Sequence, residues 1–357
     1  MSDAVIECAV MLRDDEACTF NDLPLLGMET TDPTIADVMA RVVVTHDWMA
    51  VRFRQLLMEM PDEVLLMMRG LTGVVISSEI RPSFYTARTG AIYLDAQGMW
   101  LTEEERAVIS TKEDPRAEDI RRFKFMILWR YVKDDTDIRS MERSLESLSY
   151  RTAALLYHEL AHANDFFPPD RLDTLDRHDP DLRQSARRQL PSTELANSLP
   201  PLMSAFMDSL ARTAFNANID PTESQLETTA EEVADVFPGI SRNDYYNYST
   251  DFEDLAMAFE EAMMLQTLGI DRDVGIVSSA RGTRVLQSAR RRVGTAQPDR
   301  GVRCRSPGLV LAVERILPEA AAAVEAMIAG RPPPTQMQPN RGGAPTSPSI
   351  ATWHHGR

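Results

Sequence analysis

Residues 158–162 read His158-Glu159-Leu160-Ala161-His162, and this run constrains the fold more than any other part of the chain. Four steps of about 100° return a helix to the same face, so histidines four apart stand one above the other. Two imidazoles so placed can each give a nitrogen to one Zn²⁺ ion. Glu159, beside the first of them, is in reach of a water activated there and can act as its general base. Leu155, Leu156, Leu160 and Ala161 make the surroundings apolar, as in a buried helix. The helical pattern begins near Ser144 and runs through Leu148, Thr152, Leu155, His158 and His162. Pro168-Pro169 must stop it, because proline cannot continue a helix and restricts the residue before it. Asp165 lies three residues after His162 on nearly the same face. It can hydrogen-bond a ligand histidine, or be an ordinary polar residue at a helix end.

A catalytic zinc usually takes three protein ligands. Asp165 and Pro168 occupy the Gly and last His positions of the extended HExxHxxGxxH pattern, which excludes that pattern. His46 follows an apolar run, His178 sits in a charged loop and His354-His355 lie near the C-terminus, so a carboxylate is the better third ligand. Residues 251–264, DFEDLAMAFEEAMM, are strongly helical in composition. Glu253, Ala256, Met257 and Glu260 fall along one stripe, and Ala256 is small enough to let this helix approach the first. Glu253 suits both the ligand role and the helix dipole of a first turn, with Glu260, Asp254 and Asp251 as alternatives.

The HELAH run followed by the FEDLAMAFEE helix resembles the gluzincin metallopeptidases, where two His of HExxH and one Glu of a later helix bind zinc. The E-D-x-A-x-A-F string is similar to the second zinc helix of lethal-factor-like zincins. The resemblance implies Glu253 as third ligand, a zincin-like fold and hydrolysis of a peptide or protein substrate. It also implies a tyrosine about two turns before that Glu, donating to the oxyanion. Among the tyrosines of Asp244-Tyr245-Tyr246-Asn247-Tyr248, Tyr246 has the matching offset. The chain departs from the thermolysin-like pattern in one respect. The position four after Glu253, acidic in that pattern, is Met257, so Asp165 or Asp254 must orient the histidine, or the third ligand lies elsewhere. The resemblance leaves two other readings open: a zinc hydrolase of non-peptide amides or esters, and a non-catalytic scaffold with a vestigial site.

The 357 residues are 43% hydrophobic, ample for a packed core. A net charge of −16 argues against a general nucleic-acid binder. No apolar run has transmembrane length, and Met1-Ser2-Asp3-Ala4 does not open a basic-then-apolar signal segment. The compartment stays open: cytoplasmic, or periplasmic or secreted if the chain is a trimmed mature form. Cys8 and Cys18 would pair in an oxidising compartment and stay thiols otherwise.

The expected architecture is a mostly helical α+β domain with a small β-sheet. Residues 1–33 read as an irregular N-terminal segment, 34–330 as the zincin-like catalytic domain, and 331–357 as a disordered Pro-rich tail. Two or three helices, broken near Pro61, are expected over the helical part, residues 34–70. Strands are expected at Gly73–Ile80 and Gly90–Asp95, with Ile92–Leu94 as an edge strand able to pair with a substrate. Thr102–Tyr131 reads as mainly helical, opened by a Thr102/Glu105 capping box. Residues 170–195 read as a charged connector, with helices at Leu202–Phe215, Glu223–Val236 and Val302–Gly330.

Overall fold

Apolar runs of β-branched residues bounded by Gly and polar residues build the first sheet. It contains β1 (Val42–Val44), β2 (Gly73–Ser77), β3 (Phe84–Thr86) and β4 (Ala91–Asp95), in the order β1-β2-β4-β3. β1, β2 and β4 run parallel, and β3 is antiparallel to β4. The period of two sorts β2 and β4 between two cores. Val74, Ile76, Ile92 and Leu94 face the main core, while Val75, Ala91 and Tyr93 face Val5, Cys8, Ala9 and Leu23. The computed structural model describes residues 1–11, 18–112, 122–134, 136–178, 190–198, 205–215, 219–236, 246–278, 292–294, 307–330 and 354–355.

The N-terminal segment is therefore more than an irregular lead-in. A helical turn at Ser2–Val5 and a π-turn at Ile6–Val10 cover the second face of the sheet. Cys8 and Cys18 form a disulfide that closes this segment, and the Tyr93 hydroxyl donates to the Ala9 carbonyl.

The helices are α1 (Ile35–Met39), α2 (Asp47–Met58), α3 (Asp62–Met67), α4 (Glu103–Ala107) and α5 (Leu145–Phe166), then α6 (Pro191–Ser198) and α7 (Ala205–Phe215). They continue with α8 (Glu223–Glu227), α9 (Ala230–Val236), α10 (Asp251–Leu268), α11 (Pro307–Ile316) and α12 (Pro318–Gly330). The molecule is thus mostly helical α+β. Pro61 separates α2 from α3, and Pro318 divides the single helix expected up to Gly330. Glu223–Val236 likewise splits, at Thr228-Thr229, because Thr229 caps a new start by taking the Glu232 amide.

Three expectations are corrected. Val42–Val44 is a strand inside the region read as helical, as its three β-branched residues allow. Thr102–Tyr131 is helical only over α4, where the Thr102/Glu105 capping box is present. Phe125–Lys133 is a long strand, β5, of aromatic and β-branched residues. It pairs antiparallel with β7 (Asp271–Ser278), from Phe125 opposite Ser278 to Val132 opposite Asp271. β6 (Thr136–Asp137) and β8 (Arg292–Gly294) flank this second sheet. Of the tail expected over 331–357, only β9 (His354–His355), a short pairing on β5, is described. The third correction concerns the edge: β4 lies between β2 and β3, so Ile92–Leu94 is interior and the edges of this sheet are β1 and β3. β4 is apolar on both faces, which is the signature of an interior strand.

α5 and α10 cross at the centre of the main core. Buried Leu148, Leu156, Leu160, Ala161, Leu255, Ala256, Phe259 and Met263 pack between and around them. Tyr157 meets Phe259 edge to face, and its hydroxyl lies 3.0 Å from that of Thr267. Gly269, at φ +65°, ends α10 by donating to Leu265 and lets Ile270 donate to Met264, which turns the chain toward β7. No described helix is long and apolar enough to cross a membrane.

Candidate metal centre

Ser144 caps α5, and its side chain takes the Ser147 amide, so the helix starts where its pattern begins. It ends at Phe166, just before Pro168. Between those limits His158 and His162 present their rings on one face, centroids 4.9 Å apart. α10 faces them. Thr250 is its N-cap and accepts the Glu253 amide at 3.1 Å, which places Glu253 in the first turn. Glu253 Oε2 lies 3.1 Å from His158 Nε2 and 3.4 Å from His162 Nε2.

That spacing tests whether zinc fits. Ligands at about 2.0–2.1 Å around a tetrahedral zinc stand roughly 3.3 Å from one another. The three ligand atoms all lie within 4.8 Å of each other, and among the described residues no fourth His, Cys, Asp or Glu joins them. Glu253 Oε2 is a buried oxygen that faces the two histidine Nε2 atoms, a place where a cation could also satisfy it. Two nitrogens and one carboxylate oxygen form a group that could hold a metal ion, and in number and kind they fit what a zinc site takes from protein. Burial acts to raise the Glu253 pKa, yet His162 and His158 outweigh it and hold the carboxyl well below its usual range.

Glu159 is 4% exposed, and among the described residues its carboxylate makes no hydrogen bond or ion pair. The Tyr246 hydroxyl donates to Glu253 Oε1 at 2.9 Å, and its ring stacks 6.5 Å from that of His158. Asp244 and Tyr245 lie outside the described residues, as does the side chain of Tyr248. Asp251 is exposed at the start of α10, and Asp254 accepts from Asn247 Nδ2 at 2.9 Å.

Asp165 does not orient a histidine. Its Oδ1 accepts the Ser192 backbone amide at 2.8 Å and so caps α6. Burial pushes its pKa up to about 6, partly offset by Ser192 and His162. The group that meets the far nitrogen of His158 is Glu260, whose Oε2 lies 2.9 Å from Nδ1. Glu260 is thus placed behind the ring rather than among the ligand atoms. Its Oε1 accepts the Tyr131 hydroxyl at 2.7 Å. Burial, then the Glu260 charge, holds the Tyr131 phenol well above its usual pKa, so it remains a donor. The sequence reading weighed Glu260 only as a ligand and missed Tyr131 altogether. The seven-residue step from Glu253 to Glu260, two turns on one face, was the available signal.

Comparison of the chain with protein-family models, with curated proteins and with solved structures yields no match in any of the three.

Proposed function

We propose that this protein is a zinc-dependent metallopeptidase of zincin-like fold, with a gluzincin ligand set of His158, His162 and Glu253. The observation that carries the reading is the meeting of both Nε2 atoms with Glu253 Oε2 at 3.1 and 3.4 Å, in a helix where Glu159 directly follows His158. Zinc, when bound, would supply a Lewis acid for the scissile carbonyl and a means to acidify water. Glu159 then takes the proton from the attacking water and returns it to the leaving amine. Tyr246, released from Glu253 Oε1, donates to the oxyanion that forms on the carbonyl. The outer edge of β3 is where an extended peptide would add as a strand. It lies against α5, with Tyr85 6.1 Å from the Phe166 ring and Phe166 5.3 Å from Phe252. Those aromatic contacts tie β3 to the first turn of α10.

Glu159→Gln tests this reading. Gln keeps the shape but cannot take the proton, so the variant should hold zinc with wild-type stoichiometry and lose roughly 10²–10⁴ in rate. A zinc-loaded wild type that cleaves no member of a diverse peptide pool, or a zinc-loaded Glu159→Gln that retains full activity, would defeat the proposal.

A further inference from the structure

Glu253 and Glu260 have parallel surroundings. Each offers Oε1 to a tyrosine hydroxyl and turns Oε2 toward a histidine. They differ in the nitrogen they meet. Glu253 faces Nε2 atoms, while Glu260 faces His158 Nδ1, on the opposite side of the ring. We infer that Glu260, anchored by Tyr131, is the positioning residue for His158, keeping its proton on Nδ1 and its Nε2 lone pair directed at the metal position. This inference rests on the metal reading above.

The chemistry follows from what each atom can do. A neutral imidazole has two tautomers, and carboxylates stand at both nitrogens of His158; with a cation between Nε2 and Glu253 Oε2 the proton belongs on Nδ1, where Glu260 can only accept. Glu260 is 2% exposed, so its charge depends on the donors around it. Both oxygens have one: the His158 ring at Oε2 and the Tyr131 hydroxyl at Oε1. The 5% exposed Tyr131 is itself fixed by the long β5–β7 ladder, where it pairs with Arg272. The position where the gluzincin pattern would put an acid is Met257, apolar and 4% exposed. The orienting charge has moved three residues along α10 and gained a tyrosine from a distant strand. Metal affinity should therefore depend on Tyr131, a residue that touches no ligand.

The test is zinc affinity, measured by competition with a chromogenic chelator, together with metal-free melting and the ¹⁵N shifts of His158. Wild-type His158 is expected to carry its proton on Nδ1 in the zinc-loaded protein. Loss of such an outer partner typically weakens metal binding roughly 10–100-fold, which is the change expected for Glu260→Gln. Tyr131→Phe should shift affinity in the same direction by less. Glu261→Gln, which alters the buried neighbour, should leave affinity at the wild-type value. The proposal is overturned if His158 carries its proton on Nε2, or if Glu260→Gln binds zinc like wild type. A loss no greater than that of Glu261→Gln overturns it too, since that outcome is general packing damage. If Glu260→Gln does not fold, Tyr131→Phe, which removes a single oxygen, decides by the same criteria. Wild type that binds no zinc defeats the metal reading itself, a result distinct from a zinc-binding wild type with indifferent variants.

Discussion

At the scale of single residues, Tyr246 has two possible tasks. Its hydroxyl holds Glu253 Oε1 at 2.9 Å, which leaves Oε2 as the only oxygen turned to the histidines. In the proposed reaction the same hydroxyl serves the oxyanion. Tyr246→Phe is expected to lower kcat on the order of 10²-fold, with zinc content and KM little changed, because the interaction forms chiefly in the transition state. Steady-state kinetics beside metal analysis checks this; a fall in zinc affinity that accounts for the whole loss would confine the phenol to holding the ligand. Asp165 supports a different prediction. Its folded pKa of about 6 lies above the ordinary 3.8. Folding therefore favours the neutral carboxyl, so no penalty exists below about pH 4, and it grows as pH rises to about 6. The full penalty, roughly 3 kcal/mol for a shift of about two units, is present at neutral pH. Asp165→Asn keeps an oxygen for the Ser192 amide and carries no charge. In chelated protein it should gain stability over wild type between pH 4 and 7.5, as urea midpoints will register. An advantage of equal size at both pH values would sink this account.

Among the elements, α10 is the one whose first turn carries the proposed third ligand, Glu253. Thr250 caps it through the Glu253 amide, so the cap and the ligand share one residue. Thr250→Ala should cost about 1 kcal/mol of stability, typical of a lost N-cap, and weaken zinc binding as the first turn frays. A contrasting substitution lies at Asn164 on α5. Its Nδ2 donates at 2.8 Å to both Met67 and Leu160 carbonyls, tying the end of α3 to α5 away from the ligand atoms. Asn164→Ala removes both of these buried bonds, each worth about 0.5–1.5 kcal/mol, and should cost roughly 1–3 kcal/mol. Thermal melting and zinc titration together separate the two variants. If Thr250→Ala binds zinc as tightly as wild type while melting lower, the cap serves stability alone. Gly70 reinforces the α3–α5 contact, since a Cβ there would stand 3.1 Å from the Ala163 carbonyl carbon.

For the whole molecule, the proposed metal site would link metal binding to folding. His158, His162 and Glu253 come from helices nearly a hundred residues apart and meet only in the folded state. Zinc at a hundred times its Kd should then add about 2.7 kcal/mol of stability. Chelation is expected to lower Tm by several degrees, and His162→Ala should melt alike with and without chelator. Calorimetry on both proteins tests this; a wild-type Tm indifferent to zinc would mean the three residues do not form a site. Among the described residues the interior has a main core and smaller clusters beside it, one of them around Phe20, Leu25 and Phe167. The main core spans α5, α10 and one face of the first sheet, while the smaller N-terminal cluster around the Cys8–Cys18 bridge covers the opposite face.

What the chain determined by itself was local. The histidine pair, the Ser144 start, the stop before Pro168, the Thr102 box and the helix carrying Glu253 and Glu260 all follow from neighbours within about four residues. Helix geometry is set at that range, so periodicity and capping reveal it. Tertiary structure decided what depends on distant partners. β5 reads as well for a buried helix as for a strand until β7, about 140 residues on, pairs with it. β4 became interior because β3 folds back along it. Whether Cys8 meets Cys18 was settled by packing on the far face of the sheet. The parts of Glu253 and Glu260 diverged for the same reason. Both lie on one stripe of α10, but only the approach of α5 and the Tyr131 hydroxyl decides which carboxylate meets Nε2 and which meets Nδ1.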